Sequence, residues 1–362
     1  MIVFAWDGFP QYAARCVGAF VRTTTERVAV VATSPTVPIK GMENLCGCPV
    51  HWISPDEPFN LSTFQPFNLS TFFVTGWYVP AFNRLRDAVR AKGGRIICML
   101  DNNMVGGGLL DLGFRDCLIE ILKSVRFRMK FRKHFDGFIV PGKSGRKLLR
   151  FYGVPDEKIL EGFYAADETL FTPGPTLGER PKKIIYVGRF CERKNVRRML
   201  EAFRKVKARG EGEQRWELHL YGSGPLKEEL DALASASRGG RDGTVEIHDF
   251  LQPEELAAKY REARIFCLPS VEEHWGLVVH EAALSGCALL LSNRVGAAED
   301  FLEEGVNGLS FNPFDVDDMA AKFAEAMTRT FETERAAEKA REMGVKRFVK
   351  AVERFQSRKV AK

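Results

Sequence analysis

The sequence predicts an α/β protein of two domains, each built on a sheet of parallel strands. Short apolar runs such as Ile265–Leu268 are too short for helices and are typical of buried parallel strands. Segments whose apolar residues recur at helical spacing separate these runs. A chain of 362 residues exceeds one ordinary core, and a Pro/Gly-rich stretch at 172–181 indicates a linker between two domains.

The composition is typical of a globular protein in a reducing compartment. Hydrophobic residues make up 45% of the chain, both charge signs are mixed, and the formal net charge is +6. The eight cysteines are scattered, several of them inside apolar strands, which favours reduced thiols and a cytoplasmic location. Cys46 and Cys48 have no further ligands at zinc spacing, so no metal knuckle is predicted. Without a run of 18 apolar residues, and with a strand at the start, we expect neither a membrane span nor a signal peptide.

In the first half, predicted strands and helices alternate from the first residues onward. The strand Ile2–Trp6 leads into a turn that contains Gly8, and a helix then runs to about residue 20. Further strands are predicted at 27–33, Val50–Ile53, 72–76, 95–100 and 138–141, and further helices at 79–92 and 144–152. Residues 58–64 recur unchanged as 66–72, which we interpret as a tandem duplication in a surface loop, either neutral or in contact with an acceptor.

The stretch 123–150 is strongly basic and contains interleaved aromatic residues. It has ten Lys or Arg residues against one acid, Asp136, with four phenylalanines among them: Phe127, Phe131, Phe135 and Phe138. No recognisable nucleic-acid module surrounds it, so nucleic acid is not the predicted partner. A basic, aromatic helix suits anionic lipid headgroups, into which the aromatic rings can insert, and a merely solvated helical face is the alternative.

In the second half, a basic loop follows the strand Lys183–Val187. It begins at Gly188 and places Arg189 and Lys194 five positions apart. A planar guanidinium and a flexible ammonium can converge on a diphosphate without a metal, although an exposed basic loop is the alternative. The strand Glu217–Tyr221 then runs into a tight turn at Gly222.

The loop after the strand Ile265–Leu268 carries two carboxylates toward a helix that begins near Gly276. Open α/β sheets bind ligands where a buried strand ends and a helix begins, and the helix N-terminus offers free N–H groups to an anion. Glu273 and Glu281 are eight positions apart, just over two helical turns, so both can face one ligand. A solvated loop acid and a helix acid that suits the dipole are the alternative.

Glu273-His274-Trp275-Gly276-Leu277, followed by Glu281, resembles the signature of two glutamates with seven residues between them in family 4 of the retaining glycosyltransferases (group 1). The family has Gly and Phe where this chain has His274 and Trp275. The loop with Arg189 and Lys194 and the turn at Gly222 also resemble family segments.

The resemblance implies the GT-B fold, in which two Rossmann-like domains face each other across a cleft and a C-terminal helix crosses back. On this basis we predict an acceptor-binding domain at 1–171, a linker at 172–181, a nucleotide-sugar-binding domain at 182–330 and a helical tail at 331–362. Phe348, Val352 and Phe355 are expected to pack the tail against the first domain.

The resemblance also implies the activity of a retaining, metal-independent glycosyltransferase without a cofactor. Such an enzyme moves a hexose-type sugar from a UDP-, GDP- or ADP-sugar to a glycan or lipid-linked acceptor, in surface polysaccharide or glycolipid synthesis. Glu281 would bind the ribose, Arg189 and Lys194 the diphosphate, and Glu273 the sugar. The other residues expected at the donor are Gly8, Gly188, Gly222, His274, Trp275, Gly276 and Leu277. The protein would be cytoplasmic, or peripheral on the inner face of the plasma membrane.

Two positions in the first domain depart from the family pattern. The family has paired glycines in the first strand–helix turn, where this chain has only Gly8. Asp101 follows the strand at 95–100, where the family has a histidine that reaches the transferred sugar and acceptor. Asp101 can position a sugar hydroxyl as a catalytic residue, and a helix-capping role is the alternative.

A metal site and two other functional classes are the alternatives to this prediction. Asp315-Val316-Asp317 superficially matches a metal motif, but it precedes an amphipathic helix, whose N-terminal dipole accounts for the acids. A nucleotide-sugar epimerase and a non-catalytic sugar-nucleotide binding protein are compatible with the same architecture. Sugar transfer without formation of an epimer distinguishes the transferase from both.

Overall fold

A computed structural model describes residues 1–33, 41–54, 70–77, 79–103, 114–208, 216–236 and 245–357. Most of the duplicated segment at 58–72 lies outside the described residues. The chain forms two compact units. Unit 1 contains the chain up to Asp167, apart from a short stretch before residue 112, and resumes at Met343, whereas unit 2 contains Glu168–Glu342.

Each unit has one sheet in which every described strand pair is parallel. The strands of unit 1 are β1 (Ile2–Trp6), β2 (Val28–Thr33), β3 (Val50–Ile53), β4 (Thr71–Thr75), β5 (Arg95–Met99), β6 (Gly137–Val140) and β7 (Ile159–Glu161). Those of unit 2 are β8 (Lys183–Val187), β9 (Glu217–Tyr221), β10 (Val245–His248), β11 (Ile265–Leu268), β12 (Ala288–Ser292) and β13 (Gly308–Phe311). Apart from the edge strands β3 and β10, their nearly continuous burial explains the apolar runs in the sequence.

Helices connect the strands, as parallel pairing requires. The helices of unit 1 are α1 (Gln11–Val21), α2 (Met42–Cys46), α3 (Asn83–Ala91), α4 (Phe114–Arg126), α5 (Lys143–Phe151) and the C-terminal α13 (Val345–Ser357). Those of unit 2 are α6 (Val196–Ala208), α7 (Lys227–Ala236), α8 (Pro253–Glu262), α9 (Leu277–Leu284), α10 (Ala298–Phe301), α11 (Val316–Thr328) and α12 (Glu334–Glu342). Within these described segments, none of the helices has the length and apolarity that crossing a bilayer requires.

The strand order of both sheets is that of a doubly wound fold. It runs β3-β2-β1-β4-β5-β6-β7 in unit 1 and β10-β9-β8-β11-β12-β13 in unit 2. In each sheet the order reverses beside the first strand, which is the Rossmann arrangement. The prediction of two Rossmann-like α/β domains is therefore confirmed.

The C-terminal helix α13 belongs to the core of unit 1. Phe348, Val352 and Phe355 are buried there, and Phe348 packs against Phe4 of β1 with ring centroids 6.1 Å apart. A Cβ atom at Gly137 of β6 would lie 2.2 Å from the Phe355 ring, so glycine is required there for the helix to pack this closely. The charged tail thus contributes an apolar face to the first unit.

The basic stretch is helical up to His134 and again in α5, with β6 between these segments, and its phenylalanines largely face inward. After α4 the chain continues as a π-helical turn over Phe127–Phe131. Phe127, Phe135 and Phe138 are at most 5% exposed. The exposed apolar side chains in this region are instead aliphatic: Leu118, Ile119, Ile121, Leu122, Val125 and Met129. These three rings are therefore not available to insert into a membrane.

Candidate functional site

The candidate site lies at the carboxyl ends of the two central strands of the unit 2 sheet. The strand order reverses where β8 pairs with β11. Connections leave opposite sides of such a point, which opens a crevice at the carboxyl ends of the strands. The loops that follow β8 and β11 carry most of the residues predicted to bind a donor.

Two glycines allow the loop after β8 and the turn after β9 to lie against each other. A Cβ atom at Gly222 would lie 2.0 Å from the carbonyl oxygen of Gly188, so no other residue fits there without a shift of the backbone. The Gly188 amide donates to the Tyr221 carbonyl oxygen at 3.0 Å. The Phe190 amide donates to the Ser223 carbonyl oxygen at 2.8 Å. Gly188 and Gly222 therefore allow the two backbone segments to pack closely at the site.

Asn195 fixes the backbone next to Lys194. Its φ of +57° lies in the left-handed region, which Asn tolerates better than most residues. Its buried amide nitrogen donates to the carbonyl oxygens of Pro269 (3.1 Å) and Pro313 (2.8 Å). Because Pro269 directly follows β11, this side chain joins the two loops of the site.

The structure brings together Lys194 and Glu273, which the sequence analysis assigned to different parts of a donor. The Lys194 ammonium donates to Glu273 Oε2, and Ser270 Oγ donates to the same oxygen at 3.1 Å. The two side chains are only 12% and 10% exposed, so their attraction is screened less than that of a surface pair. Burial, together with the negative charge of Glu273, raises the pKa of the neighbouring Tyr186.

Arg189 is an exposed cation of the same loop. Its carbonyl oxygen accepts a hydrogen bond from the buried Tyr186 hydroxyl at 3.0 Å, which holds the backbone in place. Within the described ranges no side chain pairs with its guanidinium, which remains available to an anionic ligand. Arg193, which the sequence analysis did not consider, is a second exposed arginine of this loop.

Backbone hydrogen bonds hold the loop with Glu273 against the loop after β12. The Glu273 amide donates to the Arg294 carbonyl oxygen at 3.1 Å, and the Gly296 amide donates to the Glu273 carbonyl oxygen at 3.0 Å. Gly276 then turns the chain into α9 with a φ of +90°. A Cβ atom there would lie 3.1 Å from Glu273 Cγ, so glycine at this position avoids a steric conflict with the Glu273 side chain. Leu277 is the first residue of α9, whose first amides point away from the helix.

His274 and Trp275 have different surroundings within this loop. His274 is half-buried and lies 3.8 Å from a Glu272 carboxylate oxygen. Trp275 is 3% exposed and packs edge-on against Phe301, with ring centroids 5.8 Å apart. Its indole N–H is buried and has no hydrogen-bond acceptor among the described residues.

Glu281 lies on the first turns of α9, beside α8. The Tyr260 hydroxyl donates to Glu281 Oε2 at 3.2 Å. Burial raises the pKa of Glu281 to about 7, although the bond from Tyr260 opposes this effect. Near neutral pH the carboxyl group is therefore present in both its neutral and its ionised form. Shifted pKa values of this kind are frequent at ligand-binding sites.

Gly8 and Asp101 lie in unit 1, at the carboxyl ends of β1 and β5. The Gly8 amide donates to Thr33 Oγ1 at 2.6 Å, and its φ is +62°. Asp101 accepts a hydrogen bond from the Tyr164 hydroxyl at 3.1 Å. Tyr164 has a φ of +56°, a strained backbone that is frequent at functional sites.

The sequence analysis missed Ser270 and Tyr260. Ser270 is fully buried three residues before Glu273, and its position after a strand was the only available signal. Tyr260 lies 21 positions from Glu281, and no motif connects them. The Asp315 carboxylate accepts from the amides of Asp317 (2.9 Å) and Asp318 (3.1 Å) and so caps α11, in agreement with the predicted role of these acids.

Comparison with known proteins confirms the resemblance over the C-terminal half. Residues 169–343 match the family model described as glycosyl transferases group 1. The chain is 33% identical over 143 residues to sulfoquinovosyl transferase SQD2 of Arabidopsis thaliana, a match covering 38% of this chain and 25% of that protein. It is 31% identical over 144 residues to O-antigen chain mannosyltransferase B of Escherichia coli, covering 40% and 36% respectively. The matched segments thus span well under half of these relatives.

Solved structures extend the likeness to the whole chain at the level of fold. The structure of Anabaena Alr3699/HepE in complex with UDP and glucose has a TM-score of 0.70 and 14% identity, covering 99% of both chains. The lipopolysaccharide outer core galactosyltransferase WaaB in its apo form has a TM-score of 0.67 and 13% identity, covering 98% of both. The predicted GT-B fold is therefore confirmed.

Proposed function

We propose that this chain, whose residues 169–343 match the group 1 glycosyltransferases, is a retaining, metal-independent glycosyltransferase. It transfers a hexose-type sugar from a nucleotide-diphosphate sugar to a glycan or lipid-linked acceptor in surface polysaccharide or glycolipid synthesis. The supporting observation is the Lys194–Glu273 pair beside the exposed Arg189, at the switch point of the unit 2 sheet. The UDP and glucose named for the Anabaena neighbour agree with such a donor.

In this proposal Arg189 and Lys194 bind the diphosphate. An ammonium has three N–H groups, and the bond to Glu273 uses one of them, so Lys194 can contact phosphate without leaving its carboxylate. Arg189 adds a planar fork that pairs with phosphate oxygens. As the bond to the sugar breaks, negative charge grows on the departing phosphate, and these fixed cations stabilise it.

Glu281 and Glu273 bind the two ends of the donor. Glu281 accepts hydrogen bonds from the ribose hydroxyls through one oxygen, while the Tyr260 hydroxyl orients the other. Glu273 and the amides at Gly276 and Leu277 hold the sugar. The Ser270 hydroxyl and the Lys194 ammonium keep one Glu273 oxygen in place, and in this proposal the carboxylate accepts a hydrogen bond from a sugar hydroxyl.

Unit 1 binds the acceptor in this proposal. Asp101 and Tyr164 form a hydrogen-bonded pair at the carboxyl end of the sheet, and the Tyr12 ring lies 4.7 Å from that of Tyr164. Aromatic faces beside a carboxylate suit a carbohydrate, which presents both C–H faces and hydroxyl groups. Gly8 leaves the neighbouring backbone accessible, because a Cβ atom there would meet no other atom within 4 Å.

The α4 surface is the proposed membrane contact. We define it by the exposed apolar residues Leu118, Ile119, Ile121, Leu122, Val125 and Met129 and the exposed basic residues Lys123, Arg126 and Lys130. Six of the nine exposed large hydrophobic side chains of the described chain lie here. Aliphatic groups next to cations fit the interface of an anionic bilayer. The protein would then act at the inner face of the plasma membrane on a lipid-linked acceptor.

A donor screen followed by product analysis tests this function. UDP-, GDP- and ADP-sugars are compared by thermal shift, because a ligand at 100 times its Kd stabilises the protein by about 2.7 kcal/mol. The stabilising donor is then incubated with candidate glycan and lipid-linked acceptors. NMR of the product should show the same anomeric configuration as the donor. An inverted product would contradict the retaining mechanism, and an epimerised donor without transfer would contradict the transferase.

A further inference from the structure

A group of imidazole and carboxylate side chains lies on β9 and β10, apart from the residues assigned to the donor. The two strands pair in parallel, with Glu246 opposite His219. Side chains alternate between the faces of a strand, so Glu217 and His219 lie on one face of β9. On β10, Glu246 and His248 lie on that same face of the sheet, within hydrogen-bond or ion-pair distance of His219.

Three atoms of this group are spaced like the ligands of one metal ion. His219 Nδ1 lies 3.1 Å from His248 Nε2, and Glu246 Oε2 lies 3.6 Å and 3.5 Å from these two nitrogens. The centre of such a triangle is about 2.0 Å from each corner, which matches zinc–nitrogen and zinc–oxygen bond lengths. The two imidazole rings are nearly parallel, with planes that differ by 2° and centroids 5.3 Å apart.

A fourth side chain holds the buried imidazole in the tautomer that a metal requires. His219 Nε2 lies 3.0 Å from Glu217 Oε2. An ionised carboxylate only accepts hydrogen bonds, so Nε2 carries the proton and Nδ1 presents its lone pair to His248 and Glu246. Histidine ligands of metals generally donate their second N–H to a carboxylate in this way.

We propose that His219, Glu246 and His248 bind a divalent ion of the zinc class, with Glu217 as the orienting carboxylate. Two imidazole nitrogens disfavour magnesium and calcium, which prefer oxygen ligands. The His248 and Glu246 side chains are 33% and 46% exposed, so water can reach a fourth coordination position. The nearby Lys183 and Lys259 lie within 4 Å of Glu262, which offsets their charge.

The ion would cross-link β9 and β10 at the edge of the unit 2 sheet. β10 is the last strand on its side and pairs only with β9 among the described strands. The His248 carbonyl oxygen accepts a hydrogen bond from the Gly222 amide at 3.2 Å. A metal that fixes His248 therefore also steadies the turn at Gly222. This inference does not depend on the proposed function.

Zinc titration of the full-length protein after chelator treatment and desalting tests the site. We expect one bound zinc per chain by elemental analysis and a higher Tm with zinc. His248→Gln and Glu246→Gln change partly exposed side chains at a sheet edge, so these variants should fold, and each should bind zinc at least 100-fold more weakly. Glu217→Gln should weaken binding by about 10- to 100-fold, as loss of an orienting partner does.

Two controls separate this site from other histidines and from thiols. His134→Gln, a half-buried histidine of unit 1, and the double variant Cys46→Ser/Cys48→Ser should both bind zinc like the wild type. Cobalt in place of zinc should give visible absorption without a thiolate charge-transfer band. The proposal is overturned if the wild type shows no zinc-dependent change, if His248→Gln and Glu246→Gln bind normally, or if the cysteine variant loses the ion. The two histidines would then be only a hydrogen-bonded pair.

Discussion

Lys194 and Glu273 form an ion pair that joins the loop after β8 to the loop after β11, across 79 positions of the chain. Both side chains are largely buried, and Ser270 adds a second donor to the same carboxylate oxygen. The pair places one positive and one negative group where the strand order of unit 2 reverses.

Arg189→Ala and Lys194→Ala should both weaken nucleotide-diphosphate binding, but only the second should also reduce stability. Loss of a charge-assisted hydrogen bond costs about 1.5–3 kcal/mol, or roughly 10- to 100-fold in affinity. Removing Lys194 also leaves Glu273 buried without its cation, whereas Arg189 is exposed. Calorimetric titration and urea unfolding measure the two effects. Arg193→Ala, an exposed arginine of the same loop, is the matched control, and wild-type affinity in both test variants would contradict the diphosphate assignment.

Transfer should not require a metal, because Arg189 and Lys194 supply the positive charge at the diphosphate. We expect the rate of transfer after EDTA treatment to stay within about twofold of the untreated enzyme. The same assay on His248→Gln separates this question from the proposed β9–β10 site. Loss of transfer in EDTA that magnesium or manganese restores, in both proteins, would indicate a metal-dependent mechanism instead.

Glu281 should make nucleotide binding depend on pH around neutrality. Burial raises its pKa to about 7, and the ionised carboxylate is a stronger hydrogen-bond acceptor for the ribose hydroxyls than the neutral carboxyl group. The affinity for a nucleoside diphosphate should therefore rise between pH 6 and pH 8, by up to about tenfold. The phosphate also titrates in this range, so the comparison is with Glu281→Gln, which should bind more weakly at pH 8 and show a smaller rise. Equal pH profiles for the two proteins would contradict the role of Glu281.

The same residue should lower the stability of the ligand-free protein as pH rises. The folded-state pKa of Glu281 lies above its unfolded value of 4.5, so its favourable contribution is complete below about pH 4.5 and is lost by about pH 7. Glu281→Gln should thus gain stability relative to the wild type between these values, by about 1–3 kcal/mol. Urea unfolding of both proteins at pH 5 and pH 8 measures the difference. A constant difference would indicate that the carboxyl group titrates normally.

Gly276→Ala should damage the site beyond the cost of its backbone strain. The φ of +90° disfavours any Cβ atom, and this one would press on Glu273 Cγ at 3.1 Å. Gly93→Ala is the matched control, because its φ is +73° and a Cβ atom there meets nothing within 4 Å. Both variants should lose about 1–2 kcal/mol of stability, but only Gly276→Ala should lose transfer activity. Equal activity of the two variants would mean that Glu273 tolerates the added methyl group.

The α4 surface should bind anionic vesicles at low salt. Each Lys or Arg near anionic headgroups contributes about 1 kcal/mol, and salt screens this attraction. Arg128 is a poor choice for mutation, because it donates to the carbonyl oxygens of Phe151 and Tyr152 and so supports the fold. The informative variants are therefore Arg126→Glu/Lys130→Glu and Leu122→Ser/Met129→Ser.

Vesicle sedimentation measures this binding. The wild type should pellet with vesicles rich in phosphatidylglycerol and not with phosphatidylcholine alone, and both double variants should remain in the supernatant. Arg84→Glu/Arg86→Glu, in unit 1 but outside the α4 surface, is the charge-matched control and should still pellet. Wild-type protein that ignores anionic vesicles would indicate an acceptor in solution, and the α4 surface would then need another partner.

The sequence by itself determined most of the unit 2 architecture. Lys183–Val187, Glu217–Tyr221 and Ile265–Leu268 have the bounds that the sequence predicts. A strand buried on both faces leaves a continuous local signal that needs no knowledge of its neighbours. The spacing of Glu273 and Glu281 was likewise visible, because both lie in one strand–loop–helix segment. The strands β7 and β13 were missed, and β7 is the shortest described strand, with three residues that carry little pattern.

Only the tertiary structure decided which side chains meet and which face solvent. The Lys194–Glu273 and Tyr260–Glu281 contacts depend on strand order and helix packing, which bring together residues 79 and 21 positions apart. The pairing of β9 with β10 likewise creates the group around His219. In the basic stretch, the alternating apolar residues fit a helix or a strand. The fold decided that Phe127 is buried and Met129 exposed, because burial depends on the neighbours that the rest of the chain supplies.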